Sequence, residues 1–92
     1  MTSLSKNRPV YTQKKNGIEV AVWKQEHEDK PFYSVSVNRS YRKDGQWHNT
    51  NSFNLRDRAI LMEFLDRAFD HAQARLDADR EERRREDETE AA

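Results

Sequence analysis

The sequence predicts an α+β domain: a four-stranded antiparallel β-meander followed by one long C-terminal helix. Three observations carry that prediction. Asn16-Gly17 stands between two strand-like runs, Phe32 to Arg42 alternates apolar with polar residues, and Leu55 to Leu76 repeats apolar residues at helical spacing.

Val10 to Lys15 and Ile18 to Glu26 flank Asn16-Gly17. Both residues of a tight hairpin turn need positive φ, which makes Asn-Gly a strong hairpin signal. A two-residue turn pairs Lys15 with Ile18, Gln13 with Val20, Tyr11 with Val22 and Val10 with Trp23. Ile18, Val20 and Val22 then share one apolar face, while Glu19, Ala21 and Trp23 share the other. His27 to Lys30 reads as a charged loop closed by Pro31. In the strand Phe32 to Arg42, Tyr33, Val35 and Val37 point one way; Ser34, Ser36, Asn38 and Ser40 point the other. Lys43-Asp44-Gly45 reads as a three-residue turn with Gly45 in the left-handed region. Gln46 to Asn54 returns as a fourth strand, pairing Tyr41 with Trp47, Arg39 with Asn49 and Val35 with Phe53. Ile18, Val20, Val22, Tyr33, Val35, Val37 and Phe53 form the face a helix should cover.

On a helical wheel centred on Leu65, the residues Leu61, Met62, Ala68, Phe69, Ala72 and Leu76 fall on the same side. Ile60 and Phe64 widen the arc, opposite Glu63, Asp66, Arg67 and Asp70. A stripe of about 100° suffices to cover a sheet, and this arc is roughly twice as wide. The excess predicts a second customer, an identical helix in a homodimer, with Leu61, Leu65, Ala68, Phe69, Ala72 and Leu76 at the interface. Asn54 and Asp57 both suit the N-cap, and the sequence leaves the choice open. Beyond Leu76 the apolar positions stop. The Asp79/Arg83 and Glu81/Arg85 pairs carry the helix on, fraying, to about Arg85, with Glu86 to Ala92 expected to be disordered. The expected layout is a disordered arm over 1–8, a folded domain over 9–76 and a charged extension and tail over 77–92.

Ninety-two residues with 34% hydrophobic and 37% charged side chains allow one domain with a thin core, a size often helped by dimerisation. There is no cysteine, which excludes disulfides, thiolate nucleophiles and thiol-ligated metals. Met1 to Arg8 has no apolar leader segment and no membrane-length apolar run occurs, so a soluble cytoplasmic protein without a membrane partner is expected. The net charge is zero but divided. Met1 to Arg58 holds eleven Lys/Arg against six Asp/Glu, and Ala59 to Ala92 holds six against eleven. A basic sheet with an acidic tail fits a protein whose sheet meets a polyanion, although ordinary surface charge can segregate in the same way.

Catalysis finds little support, and no enzyme, cofactor, metal or small-molecule substrate is expected. His27, His48 and His71 are scattered without metal-ligand spacing and read as surface residues. Gly17 and Gly45 are taken by turns, so no phosphate-cradling loop exists. The serines of the third strand are explained by alternation, and none has an evident His/Asp set.

What the face away from the helix offers is different. Lys14, Ala21, Trp23, Ser34, Ser36, Asn38, Ser40, Arg42, His48, Thr50 and Ser52 are expected there, fringed by Lys15, Lys24, Arg39, Tyr41, Lys43 and Trp47, with Phe32 at a strand start. Cations following phosphates and rings stacking on unpaired bases are what single-stranded nucleic acid needs. Each stack is worth about 1–3 kcal/mol, so two or three rings with phosphate contacts suffice for micromolar binding. Trp23 is the best-placed ring. By parity Tyr41 and Trp47 fall on the helix side, where a cross-strand aromatic pair also stabilises a hairpin by itself. They reach a ligand only if the hairpin projects beyond the helix.

The strand Val35-Ser36-Val37-Asn38-Arg39-Ser40-Tyr41, ending in a basic–x–aromatic step, is followed by a glycine-bearing turn. Ser52-Phe53-Asn54-Leu55 then runs straight into the helix. In these features and in element order, over about Ile18 to Leu76, the chain resembles the positive cofactor four family of transcriptional coactivators, relatives of the whirly fold. The resemblance implies a homodimer joined through its C-terminal helices, with two sheets forming a groove for single-stranded or melted DNA. It places Arg39 and Tyr41 on the family's basic and aromatic positions. Arg42 stands where the family has a further aromatic, and His48-Asn49-Thr50-Asn51 replaces a basic, glycine-containing run. That departure shifts weight onto Lys14, Lys15, Arg42 and Lys43.

The expected function is sequence-tolerant binding of single-stranded nucleic acid, DNA before RNA, as in a transcription or replication accessory factor. Lys14, Lys15, Lys24, Arg39, Arg42 and Lys43 would meet phosphates, Trp23, Tyr41 and Trp47 would stack, and Asn38 and His48 would add hydrogen bonds. The alternative is a small protein–protein adaptor, such as a regulator from a mobile element, working through the serine face or the tail.

Overall fold

The computed structural model describes the backbone of residues 8–28 and 30–91 and the side chains through residue 87. Residues 1–7 of the expected arm and Ala92 lie outside the described residues. Four strands, β1 (Tyr11–Lys15), β2 (Ile18–His27), β3 (Lys30–Lys43) and β4 (Gln46–Thr50), form an antiparallel sheet in the order β1-β2-β3-β4. A 3-10 turn, Leu55–Asp57, leads into the helix α1 (Arg58–Ala91). The α+β meander-and-helix architecture is therefore the one the sequence predicts.

The first hairpin has the expected register, with Tyr11 opposite Val22, Gln13 opposite Val20 and Lys15 opposite Ile18. Asn16 at φ 53° and Gly17 at φ 81° make the turn. Val10 and Trp23 do not extend this ladder, although the Val10 N–H still donates to the Val22 carbonyl at 2.8 Å. The charged loop is shorter than expected, because His27 and Lys30 pair as the last rung of β2 and β3.

The second hairpin differs by one residue. Asp44 and Gly45 both have positive φ, 54° and 76°, so they form a two-residue turn and Lys43 pairs with Gln46. Tyr41 therefore faces His48 rather than Trp47, and Arg39 faces Thr50 rather than Asn49. A slip of one residue exchanges the two faces of a strand. Trp47 and Asn49 move to the open face of the sheet, while His48 and Thr50 move to the helix side. β4 ends at Thr50, so Phe53 is not paired with Val35; it packs against the core from the connection to the helix.

Of the two N-cap candidates, Asn54 takes the cap and Asp57 is the third residue of the turn it caps. The Asp57 carboxylate accepts the Asn54 backbone N–H at 2.9 Å while the Asp57 N–H donates to the Asn54 carbonyl at 2.9 Å. The helix continues to Ala91, so residues 86–91 are helical where disorder was expected. Pairs one turn apart, such as Glu63 with Arg67 and Glu81 with Arg84, line its outer side.

The core is a single layer between sheet and helix. Ile18, Val20 and Val22 of β2 are fully buried beneath Phe64, Ala68 and Ala72. Two alanines at four-residue spacing bring the helix close to the central strands, and Ile60, Leu61 and Leu65 flank the contact. This corrects the expected dimer interface at two positions: Ala68 and Ala72 are sealed between the helix and the sheet of the same chain, 0% and 8% exposed. The unpartnered part of the apolar arc lies further round, at Met62 and Phe69, 57% and 60% exposed. At the β1 edge, the Tyr11 ring stacks on His71 at 4.5 Å, and His71 Nε2 accepts from Arg75 Nε at 2.8 Å.

Candidate nucleic-acid interface

The helix packs against β1, β2 and β3 and does not reach β4. The opposite face of the sheet is thus uncovered among the described residues, and its composition follows from the registers. β1 presents Thr12 and Lys14 there, and β2 presents Glu19, Ala21 and Trp23. β3 presents Ser34, Ser36, Asn38, Ser40 and Arg42, and β4 presents Asn49 and Trp47.

Two indoles mark this face. Trp23 is half-buried, and its ring N–H donates to the Ser36 hydroxyl at 2.9 Å. Such an orientation lays the indole along the pleat toward Ala21, which is buried despite standing on the open side. Trp47 is 67% exposed, with the Arg42 guanidinium 5.7 Å from its ring. Trp23 pairs with Ser34 and Trp47 with Arg42, so eight steps of β3 separate the two levels. At about 3.3 Å per residue, they lie roughly 26 Å apart along the strand direction. Between them runs a polar floor in which Ser40 donates to the Asn49 side-chain oxygen at 3.0 Å, with the Asn38 amide at 3.5 Å from the same atom.

The cations gather at one end. Ser40 N–H donates to the Gly17 carbonyl at 2.7 Å, which seats the β1–β2 turn against β3. A side chain at Gly17 would meet that strand: a Cβ there would stand 2.6 Å from the Ser40 carbonyl oxygen. The contact brings exposed Lys14 and Lys15 to the same end of the sheet as exposed Arg42 and Lys43. By parity Lys14 and Arg42 face the open side, whereas Lys15 and Lys43 flank it.

Three residues expected at the interface face the helix instead. Lys24 Nζ lies 3.4 Å from the Asp79 carboxylate, which also accepts the Tyr33 hydroxyl at 2.5 Å. Arg39 Nε donates to the Ser52 carbonyl at 2.8 Å and stands 3.9 Å from Asp57. His48 stacks on Tyr41 with centroids 5.3 Å apart and planes 21° from parallel, and the Arg39 guanidinium sits 5.3 Å from the Tyr41 ring centroid. The cation at Lys24 is therefore committed to holding the helix, and that at Arg39 to holding the connection before it.

The Tyr33–Asp79–Lys24 group has shifted titrations. The Tyr33 hydrogen bond holds Asp79 below the usual carboxylate range against the effect of burial, with Lys24 adding to the shift. Burial and the bond to Asp79 push Tyr33 up. Burial pulls Lys24 down, but its hydrogen bond to Asp79 and the neighbouring negative charges raise it overall. This clamp is absent from the sequence reading. The available signal was that Asp79 follows Ala72 by seven residues, on the sheet-facing side, over the paired Lys24 and Tyr33.

No family model, characterised protein or solved structure matches the chain. Among the described residues, no helix is long and apolar enough to cross a membrane, and no group of three or more His, Cys, Asp or Glu is arranged to hold a metal ion.

Proposed function

We propose that the protein binds single-stranded nucleic acid, DNA before RNA, across the open face of its sheet and with little sequence preference. The supporting observation is the placement of Trp47 beside Arg42 on that face, at the end where Lys14, Lys15 and Lys43 gather. An exposed ring next to a guanidinium offers a base platform and a phosphate partner within one nucleotide's reach. The serine and asparagine floor supplies hydrogen bonds to bases without a fixed code, and Trp23 offers a second platform. Element order and the Arg39–x–Tyr41 step keep the likeness to the positive cofactor four family within this proposal.

Fluorescence anisotropy with labelled oligonucleotides tests it. Single strands should bind more tightly than duplex, and affinity should fall as salt rises, because phosphate neutralisation releases counterions. Equal, salt-insensitive binding to both forms would remove the idea.

The same proposal includes a homodimer joined by the outer stripe of α1. Met62 and Phe69 stand seven residues apart on that stripe, 57% and 60% exposed, and Leu55, 96% exposed, lies seven residues before Met62 in the 3-10 turn that leads into the helix. Seven-residue apolar spacing suits helix-to-helix packing. Leu65, with Met62 and Phe69, lines a shallow groove there.

A further inference from the structure

We propose that the β3–β4 hairpin is a two-faced wedge that seats at a fork, where a nucleic-acid duplex opens into two single strands. This rests on the single-strand reading above and names its ligand more closely. Arg39 is the last residue of β3 paired with β2. Beyond it, the rungs Ser40–Asn49, Tyr41–His48, Arg42–Trp47 and Lys43–Gln46 carry the ribbon outward by about 13 Å at 3.3 Å per residue. Asp44 and Gly45, both at positive φ, close it with a two-residue turn, so the tip is narrow. The helix does not reach β4; on the open side of the ribbon Arg42 and Trp47 are exposed, and on the reverse side Tyr41 and His48 are half-buried.

Each face carries an aromatic surface; the cation beside it is exposed on the open side, whereas on the reverse side it is held by the connection to the helix. On the side continuous with the open sheet, Trp47 stands exposed beside the Arg42 guanidinium. On the reverse side, Tyr41 and His48 stack, with the Arg39 guanidinium over Tyr41. A single strand lying on the open sheet would use only the first of these. Rings placed back to back across a ribbon one chain thick fit two strands that part around it. Each strand's first unpaired base would stack on its own side, which requires no particular sequence. Exposed Lys43 at the tip would meet phosphates at the junction.

Anisotropy titrations of the full chain against four labelled ligands test the wedge: a forked duplex with two arms, a duplex with one arm, the isolated strand and a blunt duplex. The fork should bind about tenfold more tightly than the one-armed duplex. Trp47→Ala should weaken every ligand that has a single strand. His48→Ala should reduce the fork to the one-armed level while leaving single-strand affinity in place, and His48→Phe, which keeps a ring, should retain the preference for the fork. An unchanged circular dichroism spectrum and melting profile for His48→Phe keeps the comparison independent of folding. Equal affinity for the forked and one-armed duplexes overturns the wedge, as does a fork preference that survives His48→Ala. Absence of single-strand binding altogether would instead overturn the proposed function.

Discussion

Tyr33 and Asp79 stand 46 residues apart in the chain and share a hydrogen bond of 2.5 Å. It ties the start of β3 to α1 beyond the last buried alanine, and Lys24 completes it from β2. Removing the hydroxyl by Tyr33→Phe should destabilise the domain by about 1 kcal/mol, the usual net worth of such a bond. For a domain of this size that lowers Tm by roughly 4–8 °C. Hydrogen exchange should show faster opening of the helix beyond Ala72 while the β2–β3 ladder keeps its protection. Uniform acceleration along the whole chain would contradict a local clamp.

The clamp also sets a pH window. Asp79 is depressed in the folded state, so its contribution is present above the ordinary carboxylate value of 3.8 and is lost as pH falls through the lower folded-state value. Tyr33 and Lys24 are raised from 10.0 and 10.5, so their contributions are complete below those values and are lost as pH rises through the folded ones. The Tm gap between the native chain and Asp79→Ala should therefore be widest around neutral pH and shrink at both extremes. A gap constant from acid to alkali would show that the charges do not contribute.

Ala68 and Phe69 are neighbours in sequence with opposite environments, 0% and 60% exposed. Ala68→Leu should overpack the layer over Ile18 and Val20, costing about 1–3 kcal/mol whatever the oligomeric state. Phe69→Asp should leave the isolated fold intact and, under the dimer proposal, shift the mass measured by light scattering from dimer to monomer. A stable Ala68→Leu variant that is merely monomeric would return Ala68 to the interface.

Much of this fold was legible in the chain because local and global signals agree. Asn16-Gly17 demands a two-residue turn, and the alternation of Ile18, Val20 and Val22 admits only one register against the helix. β4 offered no such agreement. Gln46-Trp47-His48-Asn49-Thr50 has no apolar alternation to reveal its faces, so the register depended on the turn alone. Lys43-Asp44-Gly45 can be read as three residues or two, and only the positive φ of Asp44 decides it. That single step moved Trp47 from the helix side to the candidate site. The helix posed a different difficulty. Its apolar arc is wide enough to bury more than one sector, and sequence does not reveal that the small residues Ala68 and Ala72 meet the sheet. Lys24 and Arg39 looked like free cations because their carboxylate partners, Asp79 and Asp57, come from distant or later elements.

Gly17 is a further place where one atom tests the arrangement of the basic end. Its φ of 81° already disfavours a side chain, and a Cβ would lie 2.6 Å from the Ser40 carbonyl oxygen. Gly17→Ala should therefore lower stability by more than the roughly 1 kcal/mol expected from backbone conformation alone. It should also force the β1–β2 turn away from β3, separating Lys14 and Lys15 from Arg42 and Lys43. At temperatures where the variant is still folded, its affinity for a single strand should drop and its salt dependence should become shallower, as expected when fewer cations reach the same phosphates. A variant that loses stability but keeps the native salt slope would show that the two pairs of cations act independently, and that the basic end is not one binding surface.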